Sequence, residues 1–207
     1  MTEFLKSYVP ALRSIIPQTS PTPSTLPEID SKAPALPNTD IRLDDGQPTL
    51  IAFVRHCGCP FAEKEINLLS KEVKKNDQLR VIIVQHAEMN QVKSWFDEIG
   101  GPNLFPDTNR YILLPDPKRE IYARWGIGQL GWMGMINSTV LDNLKQLKQS
   151  DGIDLRPTGK GSYRWQNSGG FAVDGKGVVK WRKVAEDSSD MCDYSEASRT
   201  IISQMVS

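Results

Sequence analysis

The fold of this chain is decided by residues 49–60, which read Thr49-Leu50-Ile51-Ala52-Phe53-Val54-Arg55-His56-Cys57-Gly58-Cys59-Pro60. The first half is a short apolar run, a pattern typical of a buried β-strand. The run then breaks, and Pro60 suits the first position of a helix because that position needs no N–H donor. Apolar residues recur on one face of the predicted helix, at Ala62, Ile66, Leu69 and Val73. The sequence therefore predicts a strand, a turn with two cysteines, and an amphipathic helix.

Cys59 is the residue in this turn with the clearest chemical potential. It falls at the predicted start of the helix, where the positive end of the helix dipole and free backbone N–H groups favour a thiolate. Arg55 and His56 are close in the chain and can add to this effect. A free cysteine is also commonly a small, buried and inert residue, so the sequence leaves both interpretations open.

The composition narrows the classes of function before any further motif is considered. The chain has 207 residues, enough for one good core, and its 25 basic residues balance its 25 acidic ones, so we expect no nucleic acid or membrane partner. No stretch approaches the roughly 20 apolar residues of a membrane-spanning helix, and the N-terminus lacks a secretory signal pattern. Three cysteines do not make a disulfide framework. We therefore expect reduced thiols, a cytoplasmic location, and neither a metal nor a cofactor.

The chain divides into an N-terminal arm and one domain. Residues 1–16 predict a short amphipathic helix, bent at Pro10, that packs on the domain or on a second subunit of a homodimer. Its apolar residues are Phe4, Leu5, Tyr8, Val9, Leu12, Ile15 and Ile16. Residues 17–37 contain six prolines, so we expect an extended surface path. We predict that the arm covers residues 1–27 and the folded domain residues 28–207.

Two histidines are predicted to lie near Cys59. After the first helix, residues 79–84 form a second apolar run, and a strand, helix and strand in this order make a right-handed unit with parallel strands. If the two strands are neighbours, His56 and His86 lie at the same sheet edge as Cys59, where ligands bind in open α/β sheets. A histidine at a strand end is also commonly just solvated.

The rest of the chain continues to alternate helices and strands. The predicted elements are a helix at 89–99, a strand at 111–114, a short helix at 121–125, a helix capped by Ser138 that ends near 151, a hairpin over 171–181 and a final helix opened by Asp193. Between them lie two long loops, 126–137 and 153–170, and loops of this length are commonly functional. The first contains Trp132, Met133 and Met135, which we expect to be exposed. It is either a binding surface or lid, or a simple cover for the core.

Four segments have residue patterns that match one family. Residues 29–36 read Ile29-Asp30-Ser31-Lys32-Ala33-Pro34-Ala35-Leu36, and residues 53–61 read Phe53-Val54-Arg55-His56-Cys57-Gly58-Cys59-Pro60-Phe61. Further on stand Leu113-Leu114-Pro115-Asp116-Pro117 with Tyr122 and Trp125-Gly126, and then Trp165-Gln166 with Gly169-Gly170-Phe171. The second segment resembles the Arg-His-Phe-Gly-Cys-Pro-Phe-Cys turn of the peroxiredoxin-like 2 branch of the alkyl hydroperoxide reductase/thiol-specific antioxidant (AhpC/TSA) family. The others are similar to its opening Gly-x-x-Ala-Pro-x-Phe segment, its strand and following helix, and the lead into its hairpin.

The resemblance covers about residues 28 to 205 and implies both a fold and a function. The implied fold is α/β, a thioredoxin-like fold of the peroxiredoxin type, with a central mixed sheet flanked by helices. The implied function is that of an antioxidant oxidoreductase, whose redox-active cysteine reduces a peroxide and becomes a sulfenic acid. Glutathione or thioredoxin would then reduce this cysteine. Cys59 matches the attacking cysteine of the family.

The sequence departs from the family pattern at three positions near the site. Ala62 stands where the second cysteine of a Cys-x-x-Cys pair would be, so no such dithiol is present. His56 replaces the threonine three residues before the cysteine, and Ser168 stands where typical members have an arginine. The resemblance therefore implies that Arg55 or Arg164 supplies the positive charge.

The other two cysteines leave alternatives open. Cys57 could resolve an oxidised Cys59 or be the nucleophile itself, but a Cys-Gly-Cys disulfide closes a small, strained ring. Cys192 could approach only if loop 186–193 folds back over the site. A single-cysteine mechanism with an external thiol needs neither. The predicted catalytic residues are Cys59, Cys57, His56, Arg55 and His86, and the predicted substrate-binding residues are Arg164, Trp132 and Gln166.

The leading hypothesis is a thiol-dependent oxidoreductase that reduces a small-molecule peroxide. A second hypothesis is a binding or accessory protein that keeps the fold without redox turnover and uses the two long loops. A third is a pocket recruited to convert an organic metabolite, with His56 or His86 in acid–base roles.

Overall fold

The computed structural model describes residues 19–158 and 162–203, which form a five-stranded mixed sheet flanked by helices. The strands are Thr49–Phe53 (β1), Arg80–Gln85 (β2), Tyr111–Pro115 (β3), Gly169–Val173 (β4) and Val179–Val184 (β5). Their order across the sheet is β3-β2-β1-β4-β5. The first three strands are parallel, and β4 and β5 pair antiparallel to their neighbours. The predicted fold class is confirmed.

The helices predicted for the described residues are present in the predicted order, and two short helices, Gly101–Leu104 and Trp132–Met135, fall in segments predicted as connections. In chain order the helices are Pro60–Lys75 (α1), Met89–Glu98 (α2), Gly101–Leu104 (α3), Glu120–Arg124 (α4), Trp132–Met135 (α5), Ser138–Asp151 (α6) and Tyr194–Ile202 (α7), with a 3₁₀ turn at Thr108–Arg110. The predicted cap of α6 was one residue off. The side chain of Asn137 accepts the backbone N–H of Val140 at 2.9 Å, so Ser138 is the first residue inside the helix. Both residue types are good caps, which is why the sequence did not separate them.

The sheet separates two hydrophobic cores. Alternate residues of β1 point to opposite faces, so Leu50 and Ala52 pack with α1 and α2, whereas Ile51 and Phe53 pack with α4. Every residue of β1 and β2 is buried, which explains the continuous apolar runs seen in the sequence. None of the described helices has the length and apolar character needed to cross a membrane.

Parallel pairing of β1 and β2 positions the site. Phe53 lies opposite Val84, so the residues that follow each strand emerge together at one edge of the sheet. Two buried side chains form hydrogen bonds with the backbone at the ends of β1 and β2. The Tyr122 hydroxyl lies 2.6 Å from the carbonyl oxygen of Val54 and 2.9 Å from that of Val84. The Gln85 amide donates to the carbonyl of Arg55 at 2.6 Å.

Within the proline-rich segment, residues 19–28 contain no helix or strand and pack along the hydrophobic core on the α4 side of the sheet. The backbone N–H of Ser24 donates to the carbonyl of Ala123 at 2.8 Å, and Leu26 packs against the α4 side of the sheet. The amphipathic helix predicted for residues 1–16 lies outside the described residues. The boundary between residues 27 and 28 stays a prediction.

Candidate active site

Cys59 caps α1, as the sequence predicted. Its backbone is extended, with φ −76° and ψ 123°, and its side chain makes no capping hydrogen bond. The Cys59 N–H donates to the carbonyl of His56 at 3.0 Å, and its own carbonyl accepts the N–H of Glu63 at 3.1 Å. The sulfur therefore sits at the positive end of a 16-residue helix, where negative charge is stabilised.

A loop from the far end of α6 packs directly against this turn. Gly58 has a φ of +91°, and a Cβ placed there would come within 2.6 Å of the carbonyl oxygen of Pro157. The Arg156 N–H also donates to the carbonyl of Gly58 at 3.3 Å. Only glycine fits this position, because it must adopt a left-handed conformation against another backbone.

Cys59 lines a cavity of about 230 Å³, called here the Cys59 pocket. Cys59 itself is only 5% exposed to solvent. One wall is apolar and comes from α6, the end of α5 and Leu155. The other wall is polar and includes Arg55, His56 and Arg164. The site thus combines a thiol, positive charge and an apolar approach.

Two arginines bring positive charge to the Cys59 pocket. Arg55 is buried, and its Nη2 donates to the carbonyl of Arg164 at 2.8 Å, while its Nε and Nη1 have no hydrogen-bond partner among the described residues. Arg164 donates from Nη2 to the Thr158 hydroxyl at 2.7 Å. Burial lowers the pKa of Arg164, and negative charge on Cys59 opposes that shift. The Arg164 guanidinium is therefore close enough to Cys59 for their charges to interact.

A third arginine, Arg156, holds the loop in place. Its Nε and Nη2 contact the two carboxylate oxygens of Glu63 at 2.8 and 3.2 Å, and its Nη1 lies 2.9 Å from Glu98. The hydrogen bond to Glu63 raises the pKa of Arg156. The sequence reasoning missed Arg156. The only available signal was Glu63, an acidic residue in the first turn of α1 that needs a cation once buried.

Both histidines lie at the predicted edge, buried rather than solvated. His56 Nδ1 lies 3.0 Å from the Cys57 carbonyl, and burial, assisted by the charge of Arg55, lowers its pKa well below the ordinary value. His86 Nε2 lies 3.0 Å from the Tyr163 carbonyl, and burial lowers the pKa of His86 to about 3. The rings are therefore neutral at pH 7, which suits hydrogen bonding and positioning rather than proton uptake.

The three cysteines, all free thiols, have different surroundings. Cys57 lines a second cavity of about 390 Å³ beside Trp95, and burial raises its pKa to about 12. Cys192 is buried, its N–H lies 3.3 Å from a carboxylate oxygen of Glu65, and burial raises its pKa as well. Loop 186–193 does fold back over the site, since its Ser188 lines the Cys59 pocket.

Two predicted substrate-binding residues are not among the described residues that line the Cys59 pocket. Trp132 is 68% exposed and packs edge-on against Trp165, with ring centroids 4.5 Å apart. Gln166 is buried and donates to the carbonyl of Gly128 at 2.9 Å, so it serves the backbone instead. The expectation that Met135 is exposed was wrong, because this last residue of the short helix α5 is buried in a cluster with Tyr163 and Trp165.

A buried carboxylate on α1 was also missed. Glu65 is three residues after Ala62 and therefore lies on the apolar face of the helix, which was the signal available in the sequence. Burial raises the pKa of Glu65 to about 7, although the neighbouring Cys192 N–H and the charge of Arg55 oppose this shift. Within the described ranges, no group of three or more histidine, cysteine or acidic side chains is arranged to hold a metal ion.

Comparison with solved structures places the fold. A thiol peroxidase from Chromobacterium violaceum matches with a TM-score of 0.57 and 13% sequence identity, over 93% of this chain and 95% of that one. A yeast mitochondrial 1-Cys peroxiredoxin matches with a TM-score of 0.52 and 15% identity, over 86% of this chain and 76% of that one. At such low identities the similarity establishes the fold, which is the thioredoxin fold of the peroxiredoxin type. No family model and no curated protein matches the sequence.

Proposed function

We propose that this protein is a thiol peroxidase in which Cys59 is the nucleophile and an external thiol is the reductant. One observation carries the proposal. Cys59 lies at the N-terminus of α1 in the same pocket as Arg55 and Arg164. A helix terminus and two guanidinium groups in a water-poor pocket stabilise both a thiolate and the charge that develops on a peroxide.

The chemistry is a two-electron transfer. The Cys59 thiolate attacks the terminal oxygen of the hydroperoxide, so that an S–O bond forms while the O–O bond breaks. The leaving oxygen takes up a proton and departs as an alcohol, or as water when the substrate is hydrogen peroxide. Sulfur ends as a sulfenic acid, oxidised by two electrons. In this scheme Arg164 stabilises the thiolate, and Arg55 stabilises the oxygen that leaves.

Recycling uses two thiols from outside the chain. One thiol attacks the sulfenic sulfur, which releases water and forms a mixed disulfide. A second thiol then displaces the Cys59 thiolate and leaves the two external thiols joined. The surroundings of the other cysteines support this route, because burial keeps both Cys57 and Cys192 as protonated thiols. The three free thiols also fit a reducing compartment such as the cytoplasm.

Peroxide turnover tests the proposal. Consumption of hydrogen peroxide and of cumene hydroperoxide is measured with glutathione and with thioredoxin as reductants. Cys59→Ser should abolish turnover, whereas the matched Cys57→Ser and Cys192→Ser variants should retain it. Unchanged turnover in Cys59→Ser overturns the proposal.

Mass spectrometry after one equivalent of peroxide separates the mechanisms. We expect one added oxygen at Cys59. A disulfide between Cys57 and Cys59, or a bridge to Cys192, would refute the single-cysteine part of the scheme. No change at any cysteine would favour a binding or accessory role, for which the low exposure of Cys59 is the supporting observation.

The charge of Arg164 provides a finer test. Arg164→Gln keeps hydrogen-bonding capacity but removes the cation, so we expect peroxide turnover to fall about 100-fold, the effect of losing one electrostatic donor at a reacting centre. Arg199→Gln, an exposed residue on α7, is the control and should retain full turnover. Equal rates in the two variants would contradict the role given to Arg164.

A further inference from the structure

A second cavity borders the turn that carries the two cysteines, and we call it the Cys57 pocket. It lies between Cys57 and one face of α2, and its volume is about 390 Å³. Cavities of this size are typical sites for small molecules. Cys57 and Trp95 are buried, whereas Ser94 and Glu98 are exposed, so the pocket opens to solvent on the side of these two residues. A ligand can therefore enter from solvent and reach Trp95.

Trp95 brings a buried hydrogen-bond donor to this pocket. The residue is 4% exposed, and its indole Nε1–H has no hydrogen-bond partner among the described residues. Buried polar groups in proteins nearly always have a partner, and a buried indole N–H usually finds one. Because Trp95 lines the Cys57 pocket, a molecule bound there can supply the missing acceptor.

Gln91 brings an acceptor to the same pocket. It precedes Trp95 by four residues on α2, so the two side chains lie on one face of the helix. The Gln91 Oε1 is also buried without a partner among the described residues. A carboxamide satisfies both groups, because its carbonyl oxygen accepts a hydrogen bond and its N–H donates one. A carboxylate or an ester offers acceptors alone and leaves Gln91 unpaired.

The charges at the opening select against anions. Arg156 contacts Glu63 at 2.8 Å and Glu98 at 2.9 Å, so one guanidinium is shared by two carboxylates and the balance is negative. No lysine or arginine is among the described residues that line the pocket. Cys57 adds no charge, because burial raises its pKa to about 12 and keeps it a thiol. The polar atoms and the charge together favour a neutral ligand.

We propose that the Cys57 pocket binds a small, neutral molecule that carries a carboxamide. Its carbonyl oxygen accepts the Nε1–H of Trp95, and its N–H donates to the Oε1 of Gln91. Binding is non-covalent, with the protonated Cys57 thiol as a wall of the site. This inference does not depend on peroxidase activity, because neither Trp95 nor Gln91 is among the described residues that line the Cys59 pocket.

An NMR titration of the ¹⁵N-labelled full-length chain tests the site, with nicotinamide as the probe. The chain has five tryptophans, and the indole N–H signal of Trp95 is assigned by its loss in Trp95→Phe. The new hydrogen bond should move this signal downfield. A probe of about nine non-hydrogen atoms should bind with a dissociation constant of about 10 mM or below. Absence of the shift at about 50 mM would mean that the cavity holds water only, and would overturn the proposal.

Two related probes test the pair of hydrogen bonds. Methyl nicotinate keeps the ring and the carbonyl group but has no N–H, so it should bind about tenfold more weakly than nicotinamide. Nicotinate has no N–H either and also carries a negative charge, so it should bind more weakly still. Equal affinity for nicotinamide and methyl nicotinate, or tighter binding of nicotinate, would refute the assignment of a neutral carboxamide.

Variants of glutamine residues test the site without altering the buried tryptophan. Gln91→Met removes the acceptor at similar length, so the preference for nicotinamide over methyl nicotinate should disappear. Gln78→Met is the matched control, since Gln78 is exposed and is not among the described residues that line the pocket. It should keep the wild-type preference, and equal behaviour of the two variants would contradict the role of Gln91. A shift confined to Trp132, which is 68% exposed, would indicate stacking on the surface and overturn the proposal.

Discussion

Replacing Gly58 with alanine is the most direct test of how the fold holds the site. Gly58 stands between the two cysteines of the turn, with a φ of +91°. An added Cβ would approach the carbonyl oxygens of Pro157 and Arg156 to 2.6 and 3.0 Å. Both contacts are with backbone, so neither can be relieved by a side-chain rotation. The loop that carries Arg156 must move, or the turn must change shape.

The cost has two separable parts. A left-handed conformation costs a residue with a Cβ about 1–2 kcal/mol. Forcing a methyl group against packed atoms adds about 1–3 kcal/mol. Gly58→Ala should therefore lower the free energy of unfolding by about 2–5 kcal/mol. Gly46 offers a matched control, because its φ is +89° and nothing lies within 4 Å of its Cβ position. Gly46→Ala should lose only the roughly 1–2 kcal/mol that the left-handed conformation costs.

Two assays measure the effect. Urea unfolding of both variants gives the free energies, and their difference isolates the contact with residues 156–157. Alkylation of Cys59 by iodoacetamide, followed by mass spectrometry, reports on the site itself. We expect a changed alkylation rate in Gly58→Ala and a wild-type rate in Gly46→Ala. If the two variants lose equal stability and both keep the wild-type rate, the packing of this loop on the turn does not hold the site.

Three further predictions concern buried polar groups. Burial raises the pKa of Glu65 from 4.5 to about 7; the folded state therefore keeps a proton that the unfolded state loses, and stability should fall by roughly 3 kcal/mol between pH 4.5 and 7. The buried histidines change stability in the opposite direction over this range, so the test is a difference between two proteins. In urea titrations from pH 5 to pH 7.5, the wild type should lose stability relative to Glu65→Gln, and a parallel change in both contradicts the assignment. Burial lowers the pKa of His86 to about 3, so the NMR shifts of its ring should be those of the neutral form at pH 5. The stability that the neutral ring contributes should be lost as pH falls below 6.5. An NMR titration midpoint near 6.5 would refute this. Tyr122→Phe removes the hydroxyl beside the carbonyls of Val54 and Val84 and should cost about 1–3 kcal/mol in urea unfolding, and a smaller loss would mean that these carbonyls find other partners.

The elements around Cys59 could be predicted because their signals are local. The apolar run of β1, the proline at the start of α1 and the alternating three- and four-residue spacing of the buried face of α1 lie within 25 consecutive residues. The pairing of β1 with β2 then follows from the handedness of parallel connections. This is why the sequence predicts His86 at the same sheet edge as Cys59, 27 residues away in the chain, although His86 is not among the described residues that line the Cys59 pocket.

The loops around the site could not be predicted in the same way. Arg156 meets Glu63 across 93 residues, and Arg164 meets Arg55 across 109. Irregular segments have no periodicity that would say which side chain points inward. Trp132 and Gln166 are candidates for substrate binding because they lie in long loops. In the structure Trp132 packs against Trp165, and the Gln166 side chain donates to the carbonyl of Gly128. Glu65 differs, because its place on an apolar helix face was visible in the sequence.

The turn divides its two cysteines between different pockets, and this division bears on the choice of reductant. Cys57 lies beside Trp95, where burial raises its pKa to about 12 and keeps it a thiol. Cys59 lines a different pocket, which it shares with the guanidinium of Arg164. The turn that carries both cysteines is fixed at the start of α1 by the hydrogen bond from the Cys59 N–H to the carbonyl of His56. In the proposed peroxidase, we therefore expect a sulfenic acid at Cys59 to react with a thiol from solvent rather than with the protonated thiol of Cys57.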